Sequence, residues 1–231
     1  MVVKITSKEL RKVYENLPDH YDRVNQIISF NQDIKWREEL IKNALNYYKN
    51  PKRIIDLGSG KGELTLILSH FLNINDKEII LLDFSRNMLK NSFVKAERII
   101  ASFDFLPFKD KAFDMIISSF ALHASDNMER TIKEIVRVSN GIIACISFGK
   151  PDNEILWFLG KIYLKYIIPF LALMTGANPD NYKYIFYIYE KLYKNSFYKK
   201  IFERYINLKI YKLKALNLIY LFVGYPKNHF S

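Results

Sequence analysis

Cysteine is nearly missing from this sequence. Its 231 residues include one, Cys145, set in an apolar run. That excludes a disulfide framework, a C-x-x-C redox pair and a zinc-finger spacing, and it fits a reducing cytoplasm. Glycine and proline are also scarce, at 8 and 7 residues, and no linker, low-complexity tract or internal repeat appears. The opening Met-Val-Val-Lys-Ile-Thr lacks the apolar core of a signal peptide. Acidic side chains are outnumbered, 24 against 35 basic, giving a net charge of +11. The imbalance is local: residues 1–149 carry 22 basic and 19 acidic side chains, residues 150–231 carry 13 and 5. The last third also holds 20 of the 35 aromatics. Basic and aromatic together suit nucleic acid, an anionic membrane surface, or solvated lysines around a tyrosine-rich core, and composition leaves all three open.

What is present begins with three of the few glycines. Arg53 to Leu57 is a short apolar, β-branched run that predicts a buried strand. Gly58, Ser59, Gly60, Lys61 and Gly62 follow, with Asp56 just ahead. From Lys61 to Leu72 the spacing predicts a helix burying Leu64, Leu66, Ile67, Leu68 and Phe71. A strand turning into a helix through small residues lets a ligand touch bare backbone, and a helix N-terminus offers N–H groups to an anion. Asp83, 21 residues past Gly62, closes a second apolar run, about where dinucleotide sites place their ribose acceptor. The nicotinamide fingerprint is G-x-G-x-x-G, whereas this loop is D-x-G-x-G-x-G.

Other elements are placed around this unit. Three N-terminal helices are expected, Lys8 to Leu17, Asp19 to Phe30 and Ile34 to Tyr48, as a cap over residues 1–50. Strands at 53–57, 78–83, 98–101, 113–119 and 141–147 alternate with helices at 61–72, 85–93 and 127–138 across a 51–149 core. That rhythm demands a doubly wound parallel sheet with right-handed crossovers, and its ligand edge carries Gly58, Asp83, Ser102 and Ser119. Residues 150–231 supply the rest of one domain spanning 1–231. Ile155 to Met174 is a lid or interfacial helix, since Lys161, Lys165 and Pro169 argue against a span. Asn181 to Tyr205 is helical and aromatic, and Leu208 to Leu213 and Asn217 to Gly224 are a final antiparallel pair.

The D-x-G-x-G-x-G loop resembles the first motif of class I S-adenosyl-L-methionine methyltransferases. Over most of its length the chain is similar to the ubiquinone/menaquinone biosynthesis C-methyltransferases. The similarity rests on Tyr21-Asp22, Asn25, Ser29 and Lys35-Trp36-Arg37, on Leu82-Asp-Phe-Ser with Met88-Leu89, and on Leu106-Pro-Phe. It continues through Ser147-Phe-Gly-Lys-Pro151 and Asn181-Tyr-Lys-Tyr184. The resemblance implies a Rossmann-like sheet of about seven strands with the last pair antiparallel, and a cofactor that leaves as S-adenosyl-L-homocysteine. It places the methionine end near Tyr21, Asp56, Gly58, Ser59, Gly60, Lys61, Gly62 and Ser119. The ribose falls to Asp83, and the adenine to Phe84, Met88, Ser102, Phe103 and Asp104. Two departures stand out. Ser102-Phe103 replaces the family's Asp-Ala or Asn-Ala, and Phe120-Ala-Leu-His-Ala124 replaces F-G-L-R-N, so the arginine–asparagine pair is gone.

The reaction so implied needs a nucleophile. A hydroquinone carbon is weakly nucleophilic until a neighbouring hydroxyl loses its proton. His123, just past the fourth strand, is the candidate base, since an unperturbed imidazole near pH 6.5 suits that role. Trp157, Phe158, Tyr163 and Phe170 are expected to wall a prenylated ring. The acceptor implied is a lipophilic aromatic molecule of the demethylmenaquinone kind, and the chain is expected in the cytoplasm, peripheral to the inner membrane face. The competing readings are methylation of RNA or another small molecule, and cofactor binding without catalysis. Against covalent pyrimidine methylation, the one cysteine sits within a strand.

Overall fold

The computed structural model describes residue 29, residues 31–174 and residues 180–227, with side chains at 180–184 left out. The first two expected helices lie outside the described residues, as do Tyr21, Asp22 and Asn25. The order runs α1 (Gln32–Tyr47), β1 (Arg53–Leu57), α2 (Glu63–Ser69), β2 (Glu78–Asp83), α3 (Arg86–Lys90), β3 (Glu97–Ile100) and β4 (Phe113–Ser119). It continues with α4 (Met128–Val138), β5 (Ser139–Phe148), a long helix α5 (Glu154–Met174), α6 (Asp180–Lys191), α7 (Asn195–Tyr205), β6 (Ile206–Lys214) and β7 (Ile219–Pro226).

The strands form one sheet in the order β3-β2-β1-β4-β5-β7-β6. The first five pair in parallel, and β7 lies antiparallel between β5 and β6. This is the Rossmann-like sheet of class I methyltransferases. β1, β2 and β4 have the bounds the sequence predicts, because each is an apolar run stopped by a turn. Apolar layers cover both faces. One packs Phe113, Ile132, Phe202 and Tyr220 beneath α4 and α7; the other packs Leu40, Ile41, Leu64 and Leu68 from α1 and α2.

Register sets where the chemistry goes. Leu57 stands opposite Leu82, so Gly58 follows level with Asp83. Asp56 stands opposite Ile117, which brings Ser119 to the same edge. The loop after β3 is anchored from α4: Arg137 donates to the carbonyls of Leu106 and Phe108 at 2.9 and 2.7 Å and pairs with Glu134 and Asp110.

Two helices differ from expectation. Residues 181–205 form two helices because Lys150 bridges to Lys194, pulling the chain out of helix between them. Pro169 does not interrupt α5. Instead residues 163–167 widen into a π turn, where the N–H of Ile168 donates to the carbonyl of Tyr163 five residues back. A proline lacks an N–H and crowds the carbonyl four residues before it, and a wide turn relieves both demands. α5, α6 and Leu218 of the β6–β7 turn make a third apolar cluster, which includes Trp157, Leu164 and Ile188.

Candidate active site

The carboxyl edge of the sheet opens into a cavity of about 820 Å³, lined from α1, the glycine loop, the ends of β2 and β4, β5 and the lid helices. That is near the upper end of the range for small-molecule sites, roughly 300–1,000 Å³.

At one end is the loop. Gly58, Gly60 and Gly62 all adopt left-handed backbone, with φ of 65°, 56° and 88°, a region that disfavours side chains. A Cβ on Gly58 would also stand 2.2 Å from that of Ala121. Four amides of the loop itself are already taken. The N–H groups of Gly58 and Ser59 donate to the carbonyl of Leu82, Gly62 to that of Ser59, and Gly60 to Asp83 Oδ2 at 2.9 Å. The loop therefore presents bare surface rather than spare donors. Asp83 Oδ1 accepts from Ser85 N–H at 2.8 Å. Burial raises the Asp83 carboxyl while the backbone donors of Ser85, Gly60 and Phe84 hold it down. Three donors leave the carboxylate, with its four lone-pair sites, room to accept a hydroxyl. Ser59 Oγ, also facing this end, is buried with no partner among the described residues.

Of the residues singled out from the sequence, Gly58, Ser59, Gly60, Asp83, Phe84, Met88, Phe103, Ser119 and His123 line this one cavity. Others do not. Asp56 is fully buried under the loop, where Thr65 Oγ1 donates to it at 2.7 Å, and desolvation pushes its carboxyl up to about 7. Lys61 reaches over the ring of Phe93 instead, and Gly62 backs onto Ser92 and Val94. Ser102 accepts the Asp104 N–H, and the Asp104 carboxylate takes the hydroxyls of Ser125 and Thr131, tying its loop to α4. Neither side chain lines the cavity. Leu66 lines it rather than packing in the core, and Phe71 is exposed.

The far end is apolar. His123 lies on a short 3-10 turn, Leu122–Ala124, against the ring of Phe148 at 4.9 Å. It is 9% exposed, and desolvation lowers its imidazole to about 4, so the ring is neutral at pH 7. A neutral ring can accept a proton, and a value this low makes it a weaker base than the unperturbed imidazole expected here. Ser147 Oγ accepts the His123 backbone N–H at 3.2 Å and sits 3.5 Å from Nδ1, while Nε2 has no partner among the described residues.

The lid also departs from expectation. Tyr163 lines the cavity with Leu164, Ile168, Ile185, Ile188 and Tyr189. Trp157 is buried between the ammonium groups of Lys150 and Lys161. Phe158 and Phe170 turn outward, 62% and 59% exposed. In a helix apolar all round, composition cannot say which face is inside.

Arg37 and Phe120 also line the cavity, with no role assigned from sequence. Arg37 donates from Nε to Ser119 Oγ at 3.2 Å, pairs with Asp33 at 2.6 Å and lies 4.9 Å over the ring of Phe120. Phe120 holds a left-handed φ of 52°, the kind of local strain, roughly 1–3 kcal/mol, that gathers at functional sites. The Lys35-Trp36-Arg37 cluster was the available signal for Arg37. For Phe120 it was the Phe120-Ala-Leu-His-Ala124 segment, which does not show the left-handed backbone.

Residues 2–209 match the ubiE/COQ5 methyltransferase family. The chain belongs to that family. This methyltransferase is 31% identical over 191 residues to a demethylmenaquinone methyltransferase of Geobacillus stearothermophilus, covering 78% of this chain and 80% of the relative. It is 30% identical over 191 residues to one of Anoxybacillus flavithermus, covering 78% and 79%. A solved SAM-dependent methyltransferase from Thermotoga maritima superposes with a TM-score of 0.64 at 15% identity, over 94% of this chain and all of that one, and shares its fold. The protein is thus a methyltransferase of a family that uses S-adenosyl-L-methionine as methyl donor.

Proposed function

We propose that this methyltransferase C-methylates the ring of a hydroquinone-type lipid precursor, of the demethylmenaquinone kind. One observation carries the reading: a single cavity joins the glycine loop and Asp83 to a chamber of Phe120, Phe148, Tyr163, Ile168 and Tyr189. The first end suits a nucleoside and the second a greasy ring. The naming of relatives at about 30% identity as demethylmenaquinone methyltransferases supports the same acceptor.

The residues present fit the donor. Asp83 would accept ribose hydroxyls, Met88, Phe84 and Phe103 would flank the base, and Ser59 Oγ would gain the partner it lacks. Tyr21, which lies outside the described residues, would close over the methionine end. When bound, S-adenosyl-L-methionine supplies a methyl group on a cationic sulfur, already activated for displacement. The protein's part is to hold the acceptor carbon in line with it. His123 serves this as a hydrogen-bond donor. Ser147 Oγ lies 3.5 Å from Nδ1; with its hydroxyl turned to that nitrogen, the imidazole proton would sit on Nε2 and be offered to a ring oxygen. A donor there stabilises the oxygen's charge as the adjacent carbon attacks and so eases loss of the hydroxyl proton to water; after transfer, the proton of the methylated carbon leaves to water as well and the ring regains its aromaticity.

Methylation of RNA is the reading to beat, and the basic last third prompts it. Yet Lys161, Lys194, Lys199, Lys212 and Lys214 all stand in ion pairs with glutamates, which weakens the field that charge counting suggests. Incubation with methyl-labelled donor, a demethylmenaquinone-containing lipid extract and total RNA decides between them. Label is expected in the quinone fraction; label in RNA, or none in lipid, overturns the proposal.

A further inference from the structure

The outward side of α5 is an apolar stripe with no cover among the described residues. Ile155, Phe158, Ile162, Tyr166, Phe170 and Leu173 are all exposed, and their spacing of three or four residues places them along one side of the helix. The helix is long and apolar enough to cross a membrane, yet only 28% of its most apolar window is buried. A core helix of that composition would be mostly covered. Its other side is committed to the protein: Trp157, Leu164 and Ile168 pack into the lid cluster, and Tyr163 lines the cavity. A helix held in this way lies along the molecule.

We infer that this stripe is a membrane-docking face that beds into an anionic bilayer and sets the cavity mouth against it. Charge selects this occupant. No acidic residue occurs from 155 to 174, while Lys161 and Lys165 stand at the border of the stripe by helical spacing. There, long stems can lie on apolar surface while the ammonium groups meet headgroup phosphates. Lys165 already lies over the rings of Tyr166 and Phe186, at 5.4 and 5.9 Å. Lys161 is 3.9 Å from Glu190, an exposed pair that a phosphate can displace. The inference deepens the proposed function by giving a prenylated acceptor a route from bilayer to chamber across one helix, and it can fail separately.

The test is flotation of the full chain with vesicles of phosphatidylcholine, with and without about one third phosphatidylglycerol. Binding is expected to the anionic vesicles, falling with salt. Phe158→Ser with Phe170→Ser should weaken it at least tenfold, and Lys161→Gln or Lys165→Gln about fivefold each. Melting temperature and S-adenosylhomocysteine affinity should stay unchanged, since none of these side chains reaches the cavity. Failure to float, unaltered flotation of the double phenylalanine variant, or equal binding to neutral vesicles overturns the inference. So does a dimer that the double variant dissociates, which would make a second copy the occupant. Transfer of label to a short-tailed, water-soluble quinol tests the proposed function without vesicles, so the two failures are distinguishable.

Discussion

Replacing His123 with glutamine tests whether the imbibed proton or the donated hydrogen bond matters at this position. Glutamine keeps an N–H donor and does not titrate. In the folded protein the imidazole is lowered to about 4, against an ordinary 6.5. At about 1.4 kcal/mol per pH unit that gap corresponds to roughly 3 kcal/mol. The direction follows from linkage. A depressed folded value means the unfolded chain binds the extra proton first, so the stability this group contributes is complete above pH 6.5 and drains away as pH falls toward 4. Asp56 slopes the other way. Its carboxyl is raised from 3.8 to about 7, so its contribution is full below 3.8 and lost as pH rises through 7. The two nearly cancel in the wild-type curve between pH 4 and 6.5, and only a difference reveals His123. Urea unfolding of wild type and His123→Gln should therefore show the variant gaining about 2 kcal/mol on wild type between pH 6.5 and 5. Turnover should survive in good part, with its rise shifted to higher pH if the substituted donor is weaker. Parallel stability curves, or a His123 imidazole titrating near 6.5 by NMR, would refute the burial argument.

Asp83→Ala removes the proposed ribose acceptor and also strands the Gly60 N–H; calorimetry should find S-adenosylhomocysteine bound at least tenfold more weakly, and unchanged affinity would remove Asp83 from the site. Thr65→Val deletes the hydroxyl that donates to Asp56 Oδ2 at 2.7 Å. Because that bond favours the ionised carboxylate, the loss, about 1–3 kcal/mol, should be larger at pH 8 than at pH 6. Equal losses in urea unfolding at the two values would contradict the assignment.

Much of this architecture was legible in the residues. The runs at 53–57, 78–83 and 113–119 are apolar, β-branched and bounded by turns, so both period and limits could be read. Gly58, Gly60 and Asp83 converged because parallel register follows from alternating strands and helices. What was not legible depended on contacts far apart in the chain. The break at Lys194 comes from a bridge to Lys150. The amides of Gly58, Ser59 and Gly60 find acceptors on β2, at Leu82 and Asp83, far along the chain. Asp104, read as an adenine contact, is claimed by hydroxyls of Ser125 and Thr131. The burial that quiets His123 is a property of the assembled wall, which no local pattern encodes.

The wide turn at residues 163–167 has a consequence for the spelling of α5. A π turn holds one residue more than the regular turn it replaces, and one residue is worth about 100° of rotation. Deleting a single residue there would let the turn tighten to a regular one and leave Ile168 on the cavity wall and Phe170 outside, whereas a regular turn with all the residues kept would swing everything after it by that angle. The division of labour between the two sides of this helix is thus kept by the wide turn, which takes up one residue so that the faces before and after it stay aligned.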